Sequence, residues 1–344
     1  MHLKLSSTLS KYGKIILVGW GTGGHIQPIL SLAGELTKNH LFWIWGHDSH
    51  EEFEASQHAI PFEWIPTLKL RTTRSPEVLL YPIVLLQGII RARNILRKYS
   101  KEDTCIFSKW WPWSVAIGIA AWTLWIPLYI HESDTIPGRS NRILGKFATR
   151  IFLGFESAKK YFKEEKCEVI WQILHRVFFQ ENIVTPKEIS WKTQKKHILV
   201  ICGSQWARII FQEIIEGFGW TDTYEWIIAL GKLNESMKHD FEEIYDVQAV
   251  SWISQEDIAH LLRDTDIAIT RGSATTLAEI EVFGVKKIIV PLPYSADNHQ
   301  YYNAREYEKN GDILLEQKNL KQLPEIIQTL WQNSLPSNIS QGIS

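Results

Sequence analysis

The first residues in the chain whose types and spacing suit chemistry are Gly19-Trp20-Gly21-Thr22-Gly23-Gly24-His25. Glycines lack a Cβ, so a backbone can close on a ligand. A helix that starts from such a turn aims its N–H groups and positive end at an anion. His25 adds an imidazole, which changes charge near neutral pH. Gly19, Gly21 and Gly24 also satisfy the G-x-G-x-x-G spacing of dinucleotide sites, with Asp48 available for a ribose. A nicotinamide oxidoreductase is therefore one reading and a phosphate-binding turn another. Taken alone, His25 serves equally well as a hydrogen bonder at a helix start.

Three later stretches carry similar potential. Gly203-Ser-Gln-Trp-Ala-Arg208 is a second glycine turn, and Ile269–Glu279 (ITRGSATTLAE) offers hydroxyls at Ser273, Thr275 and Thr276 for a helix N-cap. Glu279 falls one turn inside that helix. It either grips the hydroxyls of a ribose or is the solvated acid of an ordinary capped helix. Pro291–Gln300 (PLPYSADNHQ) is either a ligand-side loop or a plain surface loop.

Elements able to position these residues are legible as alternating apolar runs and amphipathic stretches. They predict an α/β fold with doubly wound sheets. Seven strands are expected in the first half, at Lys14–Val18, Leu41–Trp45, Phe62–Ile65, Thr104–Phe107, Pro127–Ile130, Arg150–Leu153 and Glu168–Ile170. Six follow at His197–Cys202, Glu225–Leu230, Gln248–Val250, Asp266–Thr270, Lys287–Val290 and Asp312–Leu315, each strand leading into a helix. The polar stretch Gln180–Lys196 reads as a linker. The expected division is residues 1–175, residues 176–333 and an unstructured tail at 334–344, with a cleft between two Rossmann-like domains.

Composition removes several function classes. A net charge of −1 argues against a general nucleic-acid binder. Cys105, Cys167 and Cys202 are odd in number and far apart, so they read as three buried thiols and not as a disulfide framework or zinc site. No signal-peptide core precedes the first strand, and no apolar run is long enough to span a bilayer. Leu79–Ile90 is strongly apolar, with Arg91, Arg93, Arg97 and Lys98 behind it. A core helix with a basic end and a helix lying on a membrane surface both fit.

Taken together, GTGGHIQPILSLAGEL, IPLYIHESDTIPGRSNRILGKFA, ICGSQWARIIFQ and ITRGSATTLAEIEVFGVKKIIVPLPYSADNHQYYNA resemble, in order and spacing, the signatures of the UDP-N-acetylglucosamine:lipid I N-acetylglucosaminyltransferases, the MurG family. The resemblance runs from about residue 14 to residue 316. It implies a GT-B glycosyltransferase of peptidoglycan synthesis that inverts at the sugar, with UDP-GlcNAc as donor and no cofactor required. Helix ends and backbone N–H groups would stabilise the leaving diphosphate without a metal. The Asp264-Thr-Asp266 stretch leads into a strand and does not close a turn.

The site residues follow from the same resemblance. Donor contacts fall to Arg176, Ser204, Gln205, Trp206, Ser273, Thr275, Leu277, Glu279, Gln300 and Asn303. Acceptor contacts fall to Gly21, Thr22, Gly23, Gly24, His25, Asp134 and Asn141, with His25 as general base and Glu132 as a second catalytic group. A lipid-linked acceptor makes Leu79–Lys98 a dock on the cytoplasmic face of the cell membrane. Cell-wall synthesis proteins become candidate partners, and nucleic acid does not. The sequence departs from the family's HEQN at His131-Glu132-Ser133-Asp134, from its GNPVR at residues 171–176, and at His299 beside Gln300.

Tryptophan stands in the wrong places. The chain has 16 Trp against 20 Gly, where average usage would give roughly 24 Gly. Trp20, Trp110, Trp111, Trp125, Trp171 and Trp206 sit where the family pattern has glycine. An indole at Trp20 or Trp206 would fill the space a diphosphate needs. Two accounts compete: a source that reads UGA codons as glycine, or a paralogue that kept the fold and lost its sites.

Overall fold

The structure, a computed structural model, describes residues 3–19, 23–36, 41–46, 59–67, 79–109, 114–180, 189–203, 206–217 and 223–333, with the side chains of 3, 23–27 and 333 left out. The chain divides into two compact units, Met1–Arg176 and Val177–Ser344.

The first unit is a seven-stranded parallel sheet. Its strands are β1 (Lys14–Gly19), β2 (Leu41–Gly46), β3 (Phe62–Ile65), β4 (Thr104–Lys109), β5 (Leu128–Glu132), β6 (Arg150–Leu153) and β7 (Cys167–Val169), in the order β3-β2-β1-β4-β5-β6-β7. Residues of β1 alternate between the two faces, as the pleat requires. Ile15 and Leu17 join a core with Leu5, Leu9, Ile29 and Leu32, from helices α1 (Leu3–Leu9) and α2 (Gly23–Glu35). Ile16 and Val18 join a second core with Ala92, Ile95, Ile117, Ala120 and Leu144. These last come from α3 (Tyr81–Leu96), α4 (Ser114–Thr123) and α5 (Arg139–Phe147). Because both faces are covered, the strands read as continuous apolar runs.

The second unit repeats the plan with six parallel strands. They are β8 (Lys196–Ile201), β9 (Tyr224–Ala229), β10 (Val247–Val250), β11 (Ile267–Thr270), β12 (Lys286–Ile289) and β13 (Ile313–Leu314), in the order β10-β9-β8-β11-β12-β13. Its helices are α6 (Arg208–Gly217), α7 (Lys238–Glu242), α8 (Gln255–Arg263), α9 (Ala274–Glu281), α10 (His299–Glu308) and α11 (Leu323–Asn333). Ile198 and Val200 of β8 pack with Ile210, Phe211 and Ile214 of α6, Phe241 of α7 and Leu323 and Ile327 of α11. Ser254 caps α8 by accepting the Asp257 N–H at 3.0 Å.

All thirteen expected strands are present, with ends shifted by at most two residues. Several other expectations need correction. Helix α1 went unread, because seven residues with only Leu3, Leu5 and Leu9 apolar show little periodicity; Leu5 and Leu9 are nonetheless fully buried. Strand β6 leads into two 3-10 turns, Glu156–Tyr161 and Glu164–Lys166, and not into an α-helix. Cys167 is half-buried, its Sγ donating to the Lys163 carbonyl at 3.3 Å, so only Cys105 and Cys202 are buried thiols.

The expected linker is in part built into the second unit. Ile189 is buried, and Trp191 stacks on His197 with ring centroids 4.3 Å apart. Glu225, 1% exposed, accepts the Lys192 and Thr193 N–H groups, each at 2.9 Å, and the Thr193 hydroxyl at 2.8 Å. Polarity suggested a solvated strip, but these polar groups face one buried carboxylate. Glu225→Ala leaves those donors unmet, and is expected to cost about 3 kcal/mol and to make 189–195 a preferred site of limited proteolysis.

Candidate functional site

In doubly wound sheets, ligands sit outside the carboxyl ends of strands at the point where strand order reverses. The first sheet reverses between β1 and β4, and the second between β8 and β11. The turn at residues 19–25 leaves β1, the turn at 203–208 leaves β8, and Arg271–Ser273 leaves β11. Three of the singled-out stretches thus follow strands at a reversal point, whereas Pro291–Gln300 follows β12.

In the first unit, the backbone of Gly23, Gly24 and His25 opens α2. Gly21 and Thr22 lie outside the described residues, as does the imidazole of His25. Trp20, Asp48, Trp110 and Trp111 lie outside them too.

Glu132 ends β5 and is 1% exposed. One carboxylate oxygen accepts the Asp134 N–H at 2.9 Å. The other accepts the Gly138 N–H at 3.2 Å and the Asn141 Nδ2 at 2.9 Å. Burial pushes the Glu132 carboxyl up, helped by the neighbouring Asp134 charge, while the N–H donors pull it down. With both oxygens so bonded, Glu132 holds the 133–141 loop in place. Asn141 is fully buried, its Nδ2 shared between Glu132 and the His131 carbonyl at 3.3 Å, and so it helps to fix the loop. Asp134, half-buried, remains at the loop's surface.

In the second unit, Ser273 stands at the N-cap of α9, but its side chain makes no capping bond; its carbonyl takes the Leu277 N–H at 2.9 Å. Leu277 is fully buried and its N–H closes the first helical turn. Thr275 and Glu279 are on the same helix, at 9% and 7% exposure, which rules out the fully solvated reading of Glu279.

Gln300 and Asn303 are put to use by the fold. The Gln300 Oε1 accepts the Leu292 N–H at 3.0 Å, and the Asn303 Nδ2 donates to the Gly272 carbonyl at 3.0 Å. Asn303 is fully buried and latches α10 to the turn before α9. A Cβ on Gly272 would lie 2.2 Å from the Gln300 carbonyl oxygen, so only glycine permits this approach. Arg176 is exposed, at the division between the units. Ser204 and Gln205 lie outside the described residues.

Arg271, in the same stretch, has a role that the sequence does not show. It is 4% exposed and donates to the Val290 carbonyl at 3.2 Å, to the Gln317 Oε1 at 2.9 Å and to the Trp206 carbonyl. It thereby ties the turn after β8 to the segments leaving β12 and β13. The available signal was an arginine directly after an apolar strand, where burial demands partners. Beside it, a pocket of about 310 Å³ opens among Pro291, Pro293, Asn298, Tyr301, Glu316, Gln317 and Lys318. The second carboxylate of the Asp264-Thr-Asp266 stretch is engaged elsewhere: Asp266 accepts the His197 N–H at 2.9 Å and pairs with Lys196 at 3.3 Å.

Helix α3 has two apolar faces, one buried and one exposed. Gly88, Ala92, Ile95 and Leu96 face the core, while Leu79, Ile83, Leu86 and Ile90 are 80%, 56%, 57% and 52% exposed and recur at helical spacing. Of the basic residues, Arg91 and Lys98 pair with Glu63, at 3.7 Å and 2.9 Å. Among the described residues no helix is long and apolar enough to cross a membrane.

Comparison with known proteins covers both units. Residues 15–153 match the glycosyltransferase family 28 N-terminal domain, and residues 197–341 match the family 28 C-terminal domain. The UDP-N-acetylglucosamine–N-acetylmuramyl-(pentapeptide) pyrophosphoryl-undecaprenol N-acetylglucosamine transferase of Halothermothrix orenii is 31% identical over 327 residues, covering 90% of this chain and 87% of the relative. The Sulfurihydrogenibium protein of the same name is 28% identical over 315 residues, covering 89% and 86%. Among solved structures, Acinetobacter baumannii MurG superposes with a TM-score of 0.72 at 22% identity, over 93% of this chain and 92% of that one.

Proposed function

The chain belongs to the UDP-N-acetylglucosamine–N-acetylmuramyl-(pentapeptide) pyrophosphoryl-undecaprenol N-acetylglucosamine transferase family, and from that membership we propose that it moves GlcNAc from UDP-GlcNAc to the 4-hydroxyl of MurNAc in lipid I. The observation that carries this reading is positional. Three of the four family stretches leave strands that flank a reversal point: the first follows β1, the third follows β8 and the fourth follows β11, while the second follows β5.

In this reading the MurNAc 4-oxygen attacks C1 of GlcNAc as UDP leaves, which gives a β-linked disaccharide by a single inverting displacement. The second unit holds the donor, with Glu279 on the ribose and the 203–208 turn at the diphosphate. The glycine turn after β1 faces the diphosphate of the acceptor, and His25 takes the hydroxyl proton. Transfer of labelled GlcNAc to lipid I tests this directly. His25→Ala is expected to lower kcat by about 100-fold or more, with a smaller change in KM; unchanged kcat removes His25 as base.

The enzyme works from the cytoplasmic face of the membrane, docked through the exposed apolar stripe of α3. Replacing Ile83 and Leu86 together by Glu is expected to abolish co-sedimentation with anionic liposomes while leaving the melting curve in place. Retained co-sedimentation would move the dock elsewhere.

A further inference from the structure

Seven described residues other than glycine have positive φ: Ala59, Trp125, Trp171, Trp206, Asp246, Asp297 and Asn298. Asp and Asn tolerate this region through short polar side chains, whereas a bulky side chain there is an outlier. Three of the seven are tryptophan, with φ of 58°, 64° and 61° at Trp125, Trp171 and Trp206.

In each case the backbone is held there by bonds that ignore the side chain. After α4, the Ile126 N–H donates to the Ala121 carbonyl at 3.0 Å and the Trp125 N–H to the Trp122 carbonyl at 3.2 Å. That pair of bonds is a Schellman ending, whose left-handed position is a glycine site because any Cβ crowds it. The Trp171 carbonyl is bonded to His131 Nε2 at 3.1 Å, and the Trp206 carbonyl takes the buried Arg271 guanidinium. The three indoles stand in solvent, at 78%, 55% and 71% exposure.

Other tryptophans sit in surroundings that call for an indole. Trp226 is 2% exposed with its ring edge-on to Tyr224. Trp191 stacks on His197 and donates from Nε1 to the Leu261 carbonyl at 3.1 Å. Positions 191 and 226 are thus shaped for tryptophan, and positions 125, 171 and 206 for glycine.

We propose that positions 125, 171 and 206 are glycine in the protein its own cells make, their UGA codons being decoded as glycine, whereas 191 and 226 are tryptophan from UGG. The assignment rests on backbone angles and bonds, and it holds whether or not the transferase reading does. Its consequence at position 206 is an open turn after β8, with no indole where a diphosphate would approach.

Two measurements test it. The gene should carry UGA at 125, 171 and 206 and UGG at 191 and 226; tandem mass spectrometry of the protein purified from its own cells should then read glycine at the first three and tryptophan at the other two. UGG at the first three, or tryptophan in their peptides, overturns the proposal. As an independent readout, the chain is made as written and with Trp125→Gly, Trp171→Gly and Trp206→Gly. Each change is expected to raise the melting midpoint by roughly 2–4 °C, and no rise at any of the three counts against left-handed strain. Trp226→Gly is expected to lower the midpoint.

Discussion

Arg271→Met is expected to weaken UDP-GlcNAc binding at least tenfold and to destabilise the second unit by about 3–5 kcal/mol. The partners of the guanidinium are the carbonyls of Trp206, Val290 and Pro291 and the amide oxygen of Gln317, all acceptors. Methionine fills much of the volume but donates nothing, so several buried acceptors lose their bonds at about 1–3 kcal/mol each before relaxation. Lysine is not a conservative substitute, because one ammonium cannot serve acceptors on both sides of a planar fork. The loss should appear mainly in KM, since Arg271 holds the turn and the pocket-lining segments in place. Urea unfolding and calorimetry with UDP read the two parts separately. A variant that melts normally and binds UDP normally would remove Arg271 as the tie between these loops.

Glu132 gives the second large effect. Glu132→Ala removes the acceptor of two backbone N–H groups and the Asn141 amide, and is expected to cost the first unit about 3–5 kcal/mol. Its pH dependence has a definite sign. Burial raises the carboxyl from 4.5 to about 8 in the folded chain, so between these values the folded form holds a proton that the unfolded form has released. Stability from this group is therefore fully present below its unfolded pKa and is lost as pH rises through the folded one. The unfolding midpoint should fall between pH 5 and 8 in the unsubstituted chain, and Glu132→Gln should remove that slope. A Gln variant with the same slope would assign the pH dependence to other groups.

The sequence by itself determined the strands, the two repeats of one plan and the places of the glycine-rich stretches that follow β1 and β8. Strands covered on both faces must be continuous apolar runs, and Ile15–Val18 or Ile198–Cys202 can be read without any partner in view. Glycine turns and the TLAE helix start are local chemistry, so their positions were also legible. The tertiary structure decided which polar groups of the singled-out residues are already bonded. Asn141, Asn303 and Glu132 are almost wholly buried and bonded to the loops around them. Arg271 and Glu225 gained roles because segments far apart in sequence bring acceptors or donors to them. A side chain's type sets what bonds it can make, whereas burial and the approach of distant backbone set which of those bonds are already taken. The same holds for the tryptophans: their excess is a property of the sequence, but only the left-handed backbone at 125, 171 and 206 separates those positions from 191 and 226.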